Sequence, residues 1–296
     1  MRCDRVPHER GTELVHHSIM DVVVLGGTGG LGKLVVEEVR KRGDTVRALG
    51  RKDGDARDPE IVKRLCDGAG AIVNCAGAAV GFGKGWRGYG SVDTPIGLAA
   101  VAAAKSTGAR LVYTAVFAPP PLRECAYVEA HERVVDAMSE IDGVVVRPLG
   151  FFSAFASLLP LAKKGFLFDI GDGEARTNPI DEHDLATIVA EATKGDGPRE
   201  IPCGGPDVFT REDLFLRVGR LARPTIKLTR LPVWMAKINA TLAYPLSPRL
   251  AQFMRFAILL AQHDAIAPAL GIRRFEDYCA ELTRTSPLLR ERAPAA

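Results

Sequence analysis

Residues 26–32 contain five glycines, and three of them, Gly26, Gly29 and Gly32, have the spacing G-x-x-G-x-x-G. Glycine does chemistry only through its backbone. It tolerates a left-handed turn, and without a Cβ it lets a phosphate approach the main-chain N–H groups. The setting decides whether that property is used. Residues 22–25 are a continuous apolar run, as in a strand buried on both faces of a parallel sheet. After the glycines, apolar residues recur at Leu31, Leu34, Val35 and Val39, which is helical spacing. Strand, glycine turn and helix N-terminus in that order aim unbonded N–H groups and the positive end of a helix dipole at an anion. A ligand-free βα turn needs one or two glycines. Five in frame with a strand and a helix imply the pyrophosphate of a dinucleotide.

A second marker should follow about twenty residues on, where the next strand ends beside the adenosine ribose. That strand reads as residues 45–49. It ends at Gly50 and is followed by Arg51 and Lys52, with Arg47 inside it. A carboxylate at this point bonds the ribose 2′-hydroxyl of NAD, whereas cations suit the extra 2′-phosphate of NADP. NADP(H) is therefore expected over NAD(H).

The elements that must position these residues alternate along the chain. Asp58 and Pro59 open a helix running to about residue 67, and residues 70–77 read as a strand ending in the small residues Cys75, Ala76 and Gly77. Residues 80–90 form a glycine-rich loop with Trp86 and Tyr89, suited either to closing over a site or to a plain surface excursion. An alanine-rich helix (95–108), a strand (109–114), a helix (127–138) and a strand ended by proline (143–148) follow. This alternation predicts an α/β fold, a doubly wound parallel sheet of the Rossmann kind over residues 20–200. Ligands then sit along the C-terminal edge of the strands. Beyond residue 150 the pattern changes. Phe151, Phe152 and Phe155 make an apolar stretch, His183 and Asp184 read as capping and dipole partners, and Thr210 with Asp213 fits a capping box. Residues 201–296 read as a smaller, mostly helical lobe on the substrate side, with which 150–180 can interleave.

The whole chain excludes several classes. At 296 residues it can bury one large core or two modest ones. A formal charge of +3, with no basic stripe interleaved with aromatics, gives nucleic-acid binding no support. The six cysteines stand singly, with no C-x-x-C and no histidine at metal spacing, so reduced thiols and no metal site are expected. No apolar run reaches the roughly 18 residues a spanning helix needs. The most apolar region, 231–262, carries Lys237, Arg249, Arg255 and three prolines. No G-x-S-x-G elbow points to a serine hydrolase. Residues 1–19 are polar and read as a disordered extension, or as the product of an upstream start with Met20 as the natural beginning. The expected location is the cytoplasm or, in a eukaryote, the plastid stroma, and the expected partner is a small-molecule substrate. The sequence carries no sign of an oligomeric state.

Several phrases together carry a family likeness: VLGGTGGLG (24–32), VRALGR (46–51), GDARD (54–58), Arg147-Pro148 with Gly150-Phe151-Phe152, and Asn178-Pro179-Ile180 with Asp184-Leu185-Ala186. Residues 20–280 resemble an atypical short-chain dehydrogenase/reductase of the NmrA-like group, near divinyl-chlorophyllide and isoflavone-type reductases. Carried over by position, the resemblance implies that Thr28, Gly29, Gly30 and Leu31 hold the pyrophosphate. Arg51, with Lys52 beside it, would take the 2′-phosphate, Asp55 and Ala56 would border the adenine, and Cys75, Ala76 and Gly77 would line the adenosine side. Arg147, Pro148 and Leu149 would sit beside the nicotinamide.

The resemblance also implies a catalytic pair, and here the chain departs from it. The family uses Tyr-x-x-x-Lys on a helix, with a Ser or Thr ending the preceding strand. The tyrosine protonates an oxyanion while the lysine lowers its pKa. This chain has Tyr127 and His131, with Ala115 near the serine position and Thr114 one residue early. Histidine is cationic only near or below about pH 6.5. Tyr127 reads equally as a catalytic acid or a half-buried helix tyrosine, and His131 as its partner or a surface or capping residue. Glu129 and Glu132 read as solvated charges. The leading function is an NADPH-dependent oxidoreductase reducing a C=C or C=O of a small, largely apolar substrate. Its pocket would be roofed by Phe151, Phe152, Phe155 and the helices near Trp234 and Tyr244. The alternative is a non-catalytic NADP(H)-binding regulator or assembly factor. A sugar-nucleotide epimerase or dehydratase is the third reading, weakened by His131 where that chemistry wants lysine.

Overall fold

A computed structural model describes residues 19–78, 87–195 and 197–290. The polar N-terminal segment up to residue 18, with Cys3, and most of the glycine-rich loop, with Trp86, lie outside them. The first half alternates strictly: β1 (Asp21–Leu25), α1 (Gly30–Lys41), β2 (Thr45–Leu49), α2 (Pro59–Leu65), β3 (Ala71–Asn74), α3 (Asp93–Thr107), β4 (Arg110–Thr114), α4 (Ala126–Ala137) and β5 (Gly143–Pro148). The second half runs α5 (Phe152–Ala156), α6 (Leu159–Lys163), β6 (Phe168–Ile170), β7 (Arg176–Thr177), α7 (Glu182–Glu191), β8 (Glu200–Cys203), β9 (Phe209–Thr210) and α8 (Arg211–Ala222). It ends with β10 (Thr229–Leu231), α9 (Val233–Ala243), α10 (Pro248–Gln262), α11 (Phe275–Thr285) and α12 (Pro287–Arg290).

Six parallel strands form the main sheet in the order β2-β1-β3-β4-β5-β8. Chain order reverses direction on the two sides of β1, so the connections leaving β1 and β3 diverge and open a crevice at their C-terminal ends. β1 explains the sheet's composition. Val22 and Val24 face Val35 and Val39 of α1 and Leu185 and Val189 of α7, while Val23 and Leu25 face Val62 of α2 and Ala100 and Ala104 of α3. With helices on both faces the fully covered positions 22–25 cannot be polar, which accounts for the unbroken apolar run. The small residues of α3 allow close packing as well. A Cβ on Gly97 would lie 2.4 Å from Cγ2 of Val134 in α4. The doubly wound α/β fold is as the sequence implied.

Helix starts follow the expected chemistry in two places. Asp58 accepts from the N–H groups of Glu60 and Ile61 with Pro59 in the first turn, and Thr210 accepts from the N–H of Asp213. At α7 the cap is Asp181, not His183 or Asp184. Only Asp181 has the extended backbone a cap requires. His183 lies in the first turn and donates its N–H to Asp181, while the Asp184 carboxylate accepts from the N–H groups of Ile272 and Arg273.

The C-terminal lobe has its own core. Phe152, Leu159, Leu167, Phe209, Leu214, Val218 and Phe275 are buried together, with Phe155 packed against them. Phe152 meets Phe275 edge-on at 4.9 Å, and Phe151 packs against the main-sheet core. The phenylalanines expected to roof a pocket are therefore lobe and sheet core, because side chains this large find their apolar cover in one another before solvent. Five described cysteines are free thiols, three of them buried. No helix among the described residues is long and apolar enough to cross a membrane.

One charged pair is sealed inside the lobe. Arg211, at the start of α8, holds Asp169 of β6 at 2.6 Å, and both side chains are almost fully buried. Removing one partner leaves the other ion buried and alone. Asp169→Ala should therefore cost about 3–5 kcal/mol in chemical denaturation, while Thr285→Ala on the exposed end of α11 should cost less than about 1 kcal/mol.

Candidate nucleotide site and buried polar cluster

At the end of β1 the chain turns through Gly26 in the left-handed region, φ +81°. A Cβ there would lie 2.8 Å from the backbone nitrogen of Ala76, and one on Gly32 would lie 2.1 Å from the Gly26 carbonyl oxygen. Gly26 thus lets the turn press against the end of β3, and Gly32 lets α1 begin directly beneath it. On the outer side, nothing lies within 4 Å of where a Cβ on Gly30 would be. Thr28, Gly29 and Gly30 are exposed, and Leu31 half-buried. No side chain caps α1, so the N–H groups of its first turn keep their hydrogen-bonding capacity for an anion. The turn therefore fits a pyrophosphate.

The end of β2 is built onto the same turn. A Cβ on Gly50 would lie 2.2 Å from Thr28 Oγ1, so glycine is what allows the two segments to touch. Arg51 and Lys52 follow, exposed and without an ion-pair partner among the described residues. Asp53 curls back to accept from the Gly50 N–H at 2.7 Å. Asp55 is bound by Arg57 at 2.6 Å, and those hydrogen bonds hold its carboxyl at about 2. Its charge is therefore already satisfied, and half-buried Ala56 follows it. Across the crevice, Ala76 donates its N–H to Asn74 Oδ1 at 3.0 Å, and a Cβ on Gly77 would meet Asp93 Oδ1 at 2.5 Å. The Cys75 thiol is 4.0 Å from Thr114 Oγ1, and burial pushes it up to about 12. Gly26, Thr28, Gly50, Cys75, Ala76 and Gly77 are thus brought to one place.

Tyr127 and His131 share a face of α4, edge to face at 5.1 Å, but they do not form a tyrosine–cation pair. His131 is buried against β4, where its Nδ1 lies 2.8 Å from the Tyr113 hydroxyl. Desolvation lowers it to about 4, so it is neutral at physiological pH. Tyr127 packs between Tyr89 and Phe256, and burial, reinforced by the Asp93 charge, drives its hydroxyl far above the ordinary value. Ala115 supplies no hydroxyl after β4. The surface or capping role open to His131 does not hold, because position 131 of this helix faces the sheet.

Asp93, which the sequence reading passed over, is part of this cluster. It begins α3, is buried, and accepts from the Ala78 N–H at 2.9 Å. Desolvation raises its carboxyl to about 6. Asp93 Oδ2 and His131 Nε2 are both buried without a hydrogen-bond partner. An aspartate in a helix's first turn is ordinarily exposed, so nothing in the local sequence marked this one.

Arg147 is held by two carboxylates. Its guanidinium binds Glu132 of α4 at 2.6 Å and Glu200 of β8 at 2.9 Å, joining a helix to two strands. Glu132 is accordingly a clamp partner, not a solvated charge, whereas Glu129 pairs with Arg133 on the surface. The backbone continues the sheet edge here, with Phe117 donating to the Pro148 carbonyl and Leu149 donating to that of Cys203. Leu149 is buried in the same apolar cluster as Tyr127.

Glycine turn, switch-point crevice and parallel order together define a Rossmann-type fold. Solved structures share it. A dTDP-4-dehydrorhamnose reductase ortholog from Clostridium acetobutylicum superposes with a TM-score of 0.61 at 16% identity, covering 90% of this chain and 93% of that one. An NADPH-dependent quinone oxidoreductase from Escherichia coli gives 0.59 at 16%, covering 89% and 99%. At the sequence level the chain is 26% identical over 227 residues to the Arabidopsis thaliana chloroplastic divinyl chlorophyllide a 8-vinyl-reductase, covering 63% of this chain and 54% of that protein. It is also 26% identical over 253 residues to the A. thaliana mitochondrial NADH dehydrogenase [ubiquinone] 1 alpha subcomplex subunit 9, covering 73% and 61%. The chain thus spans a little over half the length of these curated relatives. No protein-family model matches it. Fold and relatives bear out the resemblance to the atypical short-chain dehydrogenase/reductases.

Two predictions follow from the geometry. Gly32→Ala drives a Cβ into the Gly26 carbonyl and should destabilise the protein by about 3 kcal/mol, read by urea denaturation. The buried cluster gives a pH signature. The unfolded chain protonates at His131 near 6.5 but the folded chain only near 4, so this contribution is present above 6.5 and lost as pH falls through that window. Asp93 has the opposite sign. It takes its proton near 6 when folded and 3.8 when unfolded, so it penalises the folded state above 6 and the penalty fades on acidification. Asp93→Asn should gain up to about 3 kcal/mol above that range. It should also steepen the acid loss that thermal melts record, because His131 then acts alone.

Proposed function

We propose that the protein is an NADP(H)-dependent oxidoreductase that reduces a C=C or C=O of a small, largely apolar substrate. One observation carries the reading. The uncapped start of α1 opens beneath the glycine turn, and the Thr28–Gly50 contact puts the unpaired cations Arg51 and Lys52 beside it. In this assignment Thr28, Gly29, Gly30, Leu31 and Gly32 hold the pyrophosphate. Arg51 and Lys52 take the 2′-phosphate, with Asp55 and Ala56 at the adenine and Cys75, Ala76 and Gly77 along the adenosine. The relative that by its name acts on a vinyl group supports the C=C class. When bound, the nicotinamide supplies the hydride.

The chain's own residues orient the reactants, exclude water and provide a proton. Tyr127, kept as a neutral hydroxyl by its burial, or a water beside it, is the donor. His131 serves as a neutral partner that fixes Tyr113 instead of the cation that lowers a tyrosine pKa. That same neutrality favours a second reading, a regulator that binds NADP(H) without turning it over.

Calorimetric titration with NADPH, NADP⁺, NADH and NAD⁺ tests the site. NADPH should bind most tightly, and Arg51→Ala should weaken it by about 10- to 100-fold while leaving NADH unchanged. No binding of any of the four would overturn both readings. If Tyr127→Phe abolishes NADPH oxidation in a substrate screen while keeping the wild-type affinity for NADPH, the protein is an enzyme acting through this residue. NADPH binding with no turnover on any conjugated substrate supports the regulator.

A further inference from the structure

Residues 214–263 contain no Asp or Glu but eight Lys and Arg, in a chain whose totals are nearly balanced at 36 and 39. In the middle of this stretch, α9 buries only Ala236 and Ala240 along its length. Its outer stripe is large and apolar: Trp234, Ile238 and Leu242, spaced four residues apart, are 64%, 50% and 67% exposed. Leu246, in the turn that follows, is 83% exposed, with Tyr244 beside it. The surface continues onto β6. Ile170 packs with Ala236 and Ala240 under α9. Phe168, two residues earlier on the same face of the strand, is about half exposed and stacks on Phe166 at 6.2 Å.

We infer that this face of the C-terminal lobe lies on the surface of an anionic lipid bilayer, with the outer stripe of α9 at the boundary between headgroups and acyl chains. The charge pattern selects this occupant. A nucleic-acid surface needs its cations at the centre of the patch, whereas here the centre is apolar and the cations surround it. Arg217 and Arg230 are neutralised by Glu276 and Glu212. Arg223, Lys227 and Lys237 form no ion pair among the described residues. Arg223 also stands at Gly165, next to the exposed phenylalanines. A cation-fringed apolar face, carried by a stretch of chain without acids and with Trp and Tyr on it, matches a headgroup layer carrying negative charge. The helix has 11 residues, too few to span, and so it lies in the plane. Its single charge, Lys237, can extend its stem to the headgroups.

The chain has two tryptophans, so Trp86→Phe leaves Trp234 as a lone reporter. With vesicles of equal phosphatidylcholine and phosphatidylglycerol, its emission should shift to the blue and the protein should co-sediment. With phosphatidylcholine alone neither should occur. Ile238→Glu with Leu242→Glu should abolish both effects without changing the thermal midpoint, since both side chains are exposed. Lys237→Gln should weaken binding about fivefold, as should raised salt. No shift and no co-sedimentation on the anionic vesicles would overturn the inference. So would binding that the double glutamate variant leaves intact, or a concentration-dependent dimer that this variant makes monomeric, which would assign the face to a second copy of the chain.

Discussion

The structure turns on a backbone approach that only glycine permits. At Gly26 the end of β1 touches the end of β3, at Gly32 the first turn of α1 touches the β1 turn, and at Gly50 the end of β2 touches Thr28. Three elements and the start of a fourth converge, with only the Thr28 side chain between β2 and the turn. The same closeness that joins them leaves the outer side of the turn bare at Gly30, so packing and anion binding make one demand of the backbone. A Cβ at Gly26 would push the end of β1 away from β3, with which its register is set, and one at Gly32 would push α1 off the turn. For this reason the turn is both a fold element and a site.

A second constraint comes from polar groups placed deep in the molecule. Arg147 is tolerated because two carboxylates, Glu132 and Glu200, meet its guanidinium from different elements. His131 and Asp93 have no such counter-ions in direct contact, and each answers burial by shifting toward its neutral form. The consequence reaches chemistry. A tyrosine on the helix face beside a neutral histidine is a weaker acid than one beside an ammonium, and a lysine in the place of His131 would put an ammonium where the sheet leaves no water. The departure from Tyr-x-x-x-Lys is therefore built into the packing of α4 on β4 and is more than a change of one side chain.

The lobe shows how burial sorts similar residues. Phe152, Phe155 and Phe275 gather into a core because α8 and α11 offer apolar faces to them, while Trp234 and Leu242 stay outside because α9 meets its neighbours through Ala236, Ala240 and Val233. Aromatic content alone could not separate the two groups. Which helix face is covered depends on partners many residues away.

By itself, the sequence determined the parallel α/β order, most strand and helix positions of the first half, the glycine turn and the cation pair beyond β2. These are local properties: apolar runs for two-faced strands, helical periodicity, caps such as Asp58 and Thr210, and a left-handed turn that needs glycine. The tertiary structure alone decided the roles of Arg147, Glu132, His131 and Asp93, the true cap of α7, and the division between buried phenylalanines and the exposed face of α9. Each of those depends on what a side chain meets across the fold. Desolvation and ion pairing arise between residues tens of positions apart, and no spacing along the chain encodes them.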